Sequence, residues 1–217
     1  MSDRNQSLRL SVQHVALLAL AFVACQGCAA PVFSDFQTAR VVQQGEWELT
    51  PAVSHLPTLD QTNAGLQAAV GVGSNIELRA RYVRAFTRNL AEENDTRFFN
   101  DLNADFNTAS LGVKFSLAEG VLAAYVPVEA VFAAGSETAL TTRPTLIATA
   151  PLTKSMEVNA SVNVILPYGL VSVNAGLGLG KLGTWSFRPE AGVMLNTGYV
   201  AAGIGVAYRF GGPVDGP

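Results

Sequence analysis

The sequence predicts an all-β protein: a single antiparallel transmembrane β-barrel of ten strands, with eight or twelve strands as the alternatives. Three observations predict it. Apolar and polar residues alternate with a period of two along most of the chain, longer and shorter loops alternate between the predicted strands, and aromatic residues gather near the strand ends. The composition agrees, because charged residues make up only 14% of the 217 residues and the mean hydropathy is +0.26.

Composition and charge exclude several classes of protein. A charged fraction of 14% is too low for a disordered chain, and a pI of about 5.4 argues against nucleic-acid binding. The two cysteines, Cys25 and Cys28, are too close in sequence to form a disulfide framework. His55 is the one histidine that would remain after export, so we expect no metal site, and no motif indicates a cofactor.

The N-terminus has the features of a bacterial signal peptide over residues 1–24. Arg4 and Arg9 precede the apolar run 15–24, which is too short to span a membrane but suits a signal-peptide core. The run ends at Ala24-Cys25, which resembles the lipobox of bacterial lipoproteins and implies lipidation at Cys25.

Two alternatives remain for this processing, lipidation at Cys28 or ordinary cleavage after Ala30. With lipidation at Cys25, residues 25–43 form a periplasmic tether. The barrel then covers residues 44–210, and residues 211–217 form a C-terminal tail.

The strands follow from the alternation of apolar and polar residues. Even positions from Met156 to Leu166 are all apolar, whereas the odd positions are mostly polar, as in a strand with one buried face. On this basis we predict strands at 46–56, 64–73, 76–86, 108–117, 121–132, 139–152, 156–167, 170–180, 185–194 and 199–210.

The two faces of these strands differ in charge. The apolar face carries one charge, Arg84. In a membrane barrel the opposite face lines the lumen, and it carries Glu48, Glu77, Arg79, Arg81, Lys114, Glu129, Arg143, Glu157, Arg188, Glu190 and Arg209. A soluble lipocalin-like barrel would instead turn the apolar face inward, so this feature alone leaves both alternatives open. The five acids and six bases predict a nearly neutral lumen, filled by paired side chains or open as a narrow channel.

Aromatic residues and loop lengths favour the membrane. With the first strand rising from the periplasm, aromatics fall near two rims, as expected where rings meet lipid headgroups. The inner set is Trp47, Phe115, Trp185, Phe187, Tyr208 and Phe210, and the outer set is Tyr82, Phe86, Phe132, Tyr168 and Tyr199. The longest loop, 87–107, is acidic and falls on the outer side, where it is predicted to be a solvated surface loop.

The last strand carries a recognisable pattern, Gly203-x-Gly205-x-x-Tyr208-x-Phe210. It resembles the closing strand of bacterial outer-membrane barrels, and hairpins such as 70–82 are similar to those of small barrels of the OmpW, OmpX and putative phenol-pathway channel type. The resemblance implies an outer-membrane location in a Gram-negative bacterium. It also implies outer-membrane lipid and lipopolysaccharide as surroundings, and recognition by the barrel-assembly machinery through Gly205, Tyr208 and Phe210.

These features predict a non-enzymatic protein: a structural or adhesive surface barrel, or a narrow passive pore. Two alternatives are a soluble lipocalin-like lipoprotein that binds an apolar ligand and a lipid hydrolase at the outer rim. The hydrolase would depend on Ser54, His55 and Asp60, the one set of residues that could form a catalytic triad.

The first and last strands are expected to close the barrel. Glu48 lies early on a rising strand and Arg209 late on a descending one, both on the lumen side. Antiparallel neighbours at one depth face each other, so we predict that Glu48 contacts Arg209, with Arg188 and Glu190 nearby.

Overall fold

The computed structural model describes residues 35–87, 105–133 and 138–212. Within these ranges, one 3₁₀ helix, Pro57–Leu59, accompanies eleven strands. The strands are β1 Glu46–Leu56, β2 Gln61–Gly71, β3 Ile76–Thr87, β4 Phe106–Ala118, β5 Leu122–Ala133, β6 Ala139–Thr142, β7 Thr145–Thr153, β8 Met156–Ile165, β9 Leu170–Leu179, β10 Trp185–Met194 and β11 Val200–Gly211. In the described part of the chain, no helix is long and apolar enough to span a membrane.

The strands form one closed antiparallel barrel. Consecutive strands pair with each other except β6 and β7, β1 pairs with β11, and the pairing of β4 with β5 completes the ring. Because β6 and β7 both pair with β5, they share one position in the wall. The barrel therefore has ten positions around its circumference, and the predicted fold class and strand count are confirmed.

The predicted sixth strand, 139–152, is divided in two at Arg143 and Pro144. Proline has no backbone N–H and cannot donate to the ladder, so β6 ends at Thr142 and β7 begins at Thr145. The gap is bridged by β8, because Val164 donates its backbone N–H to the Pro144 carbonyl at 3.1 Å. The second strand also differs, since it begins at Gln61 rather than at residue 64.

The wall of the barrel is apolar outside and polar inside. In β3 the side chains of Glu77, Arg79 and Arg81 are buried, whereas Leu78 and Tyr82 are exposed. In water, an exposed apolar face would destabilise the fold, whereas a barrel in lipid needs apolar side chains outside and polar ones inside. The soluble lipocalin-like alternative is therefore wrong.

The seam between β1 and β11 has the predicted register. Glu48 lies opposite Arg209, and Trp47 lies opposite Phe210. We call the end of the barrel at which β1 begins the lower rim and the opposite end the upper rim. Exposed aromatic residues lie along the lower rim. In the strand register, Trp185 lies opposite Tyr208, next to the Trp47–Phe210 pair.

The upper rim holds an apolar cluster on the inner side of the wall. Its buried members are Leu56, Leu59, Ile165, Met194 and Ala201. Two of the predicted outer-rim aromatics, Tyr168 and Tyr199, pack against this cluster. For these two tyrosines the structure differs from the expected lipid-facing girdle, because they follow strands whose last inward side chains are apolar. The cluster therefore makes part of the inner surface apolar near the upper rim.

The signal peptide, the lipidation at Cys25 and most of the C-terminal tail concern residues outside the described ranges. They stay predictions. Residues 88–104 of the acidic loop 87–107 also lie outside the described ranges. At the base of that loop, Asp105 pairs with Arg84 at 3.3 Å, and the Arg84 guanidinium lies 5.0 Å from the centre of the Phe86 ring.

Candidate functional site

Residues 35–43 lie inside the barrel. We call them the plug. Their buried members are Asp35, Phe36, Gln37, Thr38, Ala39 and Val42. This corrects the expectation that residues 25–43 form a periplasmic tether, at least for the part of that range that the structure describes. A solvated tether would leave these side chains in water, whereas here the wall supplies partners for them.

The plug joins the wall through a tight turn at the lower rim. Glu46 donates its backbone N–H to the Gln43 carbonyl at 2.9 Å, and Gly45, with a φ of 82°, allows the reversal. The chain passes so close to Gly71 that a β-carbon there would overlap the Gln43 carbonyl. Glycine at position 71 thus lets the plug turn into β1 against the neighbouring strand.

The main chain at the beginning of the plug is bound by three side chains of the wall. The backbone N–H groups of Asp35 and Phe36 donate to the two carboxylate oxygens of Glu190, at 2.7 and 2.9 Å. The Asp35 carbonyl accepts from the Gln67 amide at 2.8 Å, and the Phe36 carbonyl accepts from the Arg188 guanidinium at 2.9 Å. One carboxylate of the wall therefore holds two successive backbone groups of the plug.

The second half of the plug is held in the same manner. The Ala39 N–H donates to Thr149 Oγ1 at 2.7 Å. Lys114 Nζ donates to the Arg40 carbonyl at 2.9 Å, and the Val42 N–H donates to Glu77 Oε2 at 2.7 Å. Buried backbone groups need partners, and here side chains of the barrel provide them as a neighbouring strand would.

The charged side chains of the plug meet opposite charges. Asp35 lies 3.1 Å from Arg143 and 3.5 Å from Arg81. Arg40 Nε lies 2.8 Å from a carboxylate oxygen of Glu157. Arg81 and Arg143 also contact Glu129. The two guanidiniums therefore share two carboxylates, that of Glu129 in the wall and that of Asp35 in the plug.

The apolar side chains of the plug fit two shallow surfaces of the wall. The Phe36 ring lies against Gly203 and Gly205, and a β-carbon at Gly205 would be 3.2 Å from Phe36 Cγ. Ala39 is fully buried in a cluster with Ala123, Tyr125 and Ile147. A cavity of about 20 Å³ remains beside Phe36, lined also by Ser54, Asn63, Gln67 and Arg81.

Glu48 is the centre of the charge network at the seam. Its carboxylate contacts the guanidiniums of Arg79 at 3.1 Å, Arg188 at 2.9 Å and Arg209 at 2.9 Å. The predicted contact between Glu48 and Arg209 is therefore present, and Arg188 joins it. Glu190 lies farther along β10, where it binds the plug. One buried carboxylate thus connects β1 with β3, β10 and β11.

A second part of the network lies on β3, β4 and β5. Glu77 contacts Arg79 at 2.7 Å and Lys114 at 3.1 Å. Glu129 on β5 contacts Arg81, and it lies 3.4 Å from Arg143. The structure places all of the charged residues that the sequence assigned to the inner face in this network or against the plug.

Among the residues that the structure describes, two charged residues of the lumen were not sequence candidates, Asp35 and Arg40. Both belong to the plug, a segment that was predicted from the sequence to be a periplasmic tether. Phe36, Ala39 and Val42 give a signal that could have found it, because a solvated linker has no need of apolar residues at every third position. Their partners are too distant in sequence to be identified from this spacing.

The candidate hydrolase residues do not form a triad. Ser54 is buried on the inner face, where it accepts from Asn63 Nδ2 at 3.4 Å, whereas His55 is exposed on the outer face. Successive side chains of a strand point to opposite faces, so Ser54 and His55 are separated by the wall. Asp60 is an exposed residue that ends the 3₁₀ helix. The outer-rim hydrolase built on these residues is therefore contradicted.

The predicted assembly residues divide between the two faces of β11. Tyr208 and Phe210 are exposed, and their ring centres lie 6.1 Å apart in a stacked arrangement. Gly205 faces inward and contacts Phe36, so its lack of a side chain also serves the plug. Among residues 35–87, 105–133 and 138–212, no group of three or more histidine, cysteine or acidic residues could hold a metal ion.

No protein-family model matches the chain, and no curated protein matches its sequence. Several solved barrels resemble its structure. The N-terminal β-barrel domain of OprF from Pseudomonas aeruginosa is 15% identical, with coverage of 77% of this chain and 98% of that one and a TM-score of 0.36. The KdgM porin is 9% identical, with 75% and 99% coverage and a TM-score of 0.44. Ail of Yersinia pestis is 12% identical, with 77% and 100% coverage and a TM-score of 0.32.

The assignment of the chain rests on its own geometry rather than on these distant likenesses. The wall is closed by the β1–β11 and β4–β5 pairings, and its outward side chains are apolar. Aromatic rings lie along the lower rim, and the charged residues face the lumen. This chain is a transmembrane β-barrel of the kind found in bacterial outer membranes.

Proposed function

We propose that the protein is a structural outer-membrane barrel whose lumen is kept closed by its own plug. The observation that carries this proposal is the binding of main-chain groups along the plug, from the Asp35 N–H to the Val42 N–H, by side chains of the wall. These side chains come from strands on several sides of the lumen, including β2, β3, β4, β7 and β10. Bound in this manner, the plug occupies the space that a solute would need.

The charge network supports the same function. In a narrow pore, charged side chains line a path of water, whereas in a closed barrel they pair with one another. Glu48, Glu77 and Glu129 each contact at least two cationic side chains of the wall. Breaking such buried pairs is costly, so the wall favours the closed, filled state. Passive conduction would then require the plug to leave the lumen.

The conductance of Ala39→Arg should test this function. Ala39 is fully buried beside Tyr125 and Ile147, so a guanidinium cannot be accommodated there and the plug should leave its site. Overpacking alone costs about 1–3 kcal/mol, so we expect roughly tenfold or greater growth of the open population. In planar bilayers the refolded wild-type protein should be silent, and the variant should open in discrete steps.

Ala39→Ser is the matched control, because it changes polarity at the same position without adding bulk. It should stay closed. Heat-modifiable migration on gels would show that each variant is folded. A wild-type protein that conducts steadily, or a folded Ala39→Arg variant that stays silent, would contradict the proposed closure by the plug.

A further inference from the structure

The side chains that hold the plug form a binding site in their own right. This inference rests on the proposed function, because it concerns the lumen after the plug has left. Glu190, Gln67 and Arg188 bind backbone N–H and carbonyl groups at one end of the site. Lys114 and Glu77 do so at the other end. Donors and acceptors placed along a groove in this manner can pair with the main chain of a peptide that follows the path of the plug, including the positive φ at Phe36.

One end of the site is suited to a carboxylate. Arg81 and Arg143 together contact the carboxylates of Asp35 and Glu129. When Asp35 leaves, Arg81 and Arg143 lose the carboxylate that it supplies. A ligand carboxylate at this place would restore those contacts, and Asn163, whose amide lies 3.5 Å from Asp35 Oδ2, offers a further donor.

The next position is suited to an aromatic ring. Gly203 and Gly205 leave the inner face of β11 without side chains, and the Phe36 ring fills that space. A β-carbon at Gly203 would come within 2.7 Å of Phe36 Cζ, so any larger residue would remove the shelf. An aromatic ring that follows the carboxylate directly would contact the two glycines as Phe36 does.

The far side of the site is suited to a cation. Glu157 binds the guanidinium of Arg40, which follows Asp35 by five residues in the plug. The carboxylate of Glu157 is buried, whereas Arg40 is partly exposed. A ligand without a positive charge here would leave that carboxylate without this partner, at a cost in free energy.

We propose that the lumen is a peptide-binding site, occupied by the plug in the closed state, that also takes peptides from other chains. The chemical signature of such a peptide is an acidic residue followed directly by an aromatic residue, with a basic residue five positions after the acidic one. Main-chain recognition makes the remaining positions tolerant of sequence, apart from a small residue opposite Tyr125 and Ile147.

The experiment uses full-length Ala39→Arg protein in planar bilayers and a synthetic peptide with the sequence of residues 34–44. The peptide should block the open channels reversibly. A peptide with Asp35→Asn and Phe36→Ala should need at least roughly tenfold higher concentration for the same block, since it loses a buried charge pair and a ring contact. A scrambled peptide of the same composition should not block at that concentration.

A wall variant gives an independent arm. Gly205→Val in the Ala39→Arg background fills the space that the Phe36 ring occupies, so block by the peptide should weaken. The control is Gly73→Val in the same background, because a β-carbon at Gly73 meets no atom within 4 Å. That control should keep the block. If Gly205→Val does not fold, the comparison of the three peptides still decides the question.

The outcomes separate the two proposals. If Ala39→Arg conducts but the scrambled peptide blocks as well as the plug peptide, or neither blocks, the peptide-binding site is overturned and the plug remains. If folded Ala39→Arg is silent, or the wild-type protein conducts to the same extent, the plug is overturned and the peptide site falls with it.

Discussion

Glu48→Gln should lower the free energy of unfolding by about 3–5 kcal/mol, the usual cost of removing one partner from a buried ion network. The Glu48 carboxylate contacts Arg79, Arg188 and Arg209 at 2.9–3.1 Å. Glutamine has nearly the same shape, so the loss would come from charge rather than from a cavity. Three guanidiniums would then have lost a shared counter-charge inside the barrel. Denaturant unfolding of the refolded protein in lipid vesicles measures the change.

Glu119→Gln is the control for this measurement. Glu119 is exposed in the turn between β4 and β5, so its replacement should change the free energy of unfolding by less than about 0.5 kcal/mol. Exposed ion pairs usually contribute less than about 1 kcal/mol to the free energy of unfolding. A loss that small for Glu48→Gln would show that the seam does not depend on Glu48. Arg209→Gln should be milder, because Glu48 would keep the other two arginines.

Val162→Arg should prevent assembly into the membrane. Val162 is 45% exposed on the outer face of β8, between Leu146 and Val173 on the neighbouring strands. A charge at the centre of the bilayer on that face costs about 2–4 kcal/mol, a large part of the stability of a small barrel. The amount of folded protein in the outer membrane, measured from heat-modifiable migration, should fall sharply.

Two neighbouring substitutions make this test specific. Val162→Leu keeps the surface apolar and should assemble as the wild-type protein does. Asn163 faces the lumen, where its side-chain oxygen accepts a hydrogen bond from Ser172 at 2.8 Å. Asn163→Ala should therefore lower the free energy of unfolding by about 1 kcal/mol without blocking assembly. Normal assembly of Val162→Arg would mean that this face of the wall does not meet lipid.

The wall could be predicted from the sequence because its pattern is local. Alternation in a segment such as 76–86 assigns Glu77 and Arg79 to one face and Leu78 to the other without knowledge of any distant contact. The contact across the seam could be predicted from the same alternation, since Glu48 and Arg209 both face inward and fall at equal depth on strands of opposite direction. The alternation could not show that the strand is divided at Pro144, because inward and outward residues continue to alternate across the proline.

The plug could not be predicted in the same way. Its contacts join residues far apart in sequence, such as Asp35 and Glu190, which are 155 positions apart. An irregular segment bound by side chains has no period of its own, so residues 35–43 looked like a linker. The alternation also could not predict that Tyr168 and Tyr199 pack against the apolar cluster, because the direction of a side chain just beyond a strand depends on the turn.

The position of the plug has a consequence for the order of folding. It leads directly into β1, and its partner Glu190 belongs to the strand that precedes the last one. The seam joins Glu48 to Arg209, 161 residues apart, so both contacts wait for the end of the chain. Contacts of such long range carry a large loop-closure entropy and form late. We therefore expect the wall to close around a segment already within it, so that docking of the plug and closure of the seam are a single kinetic event.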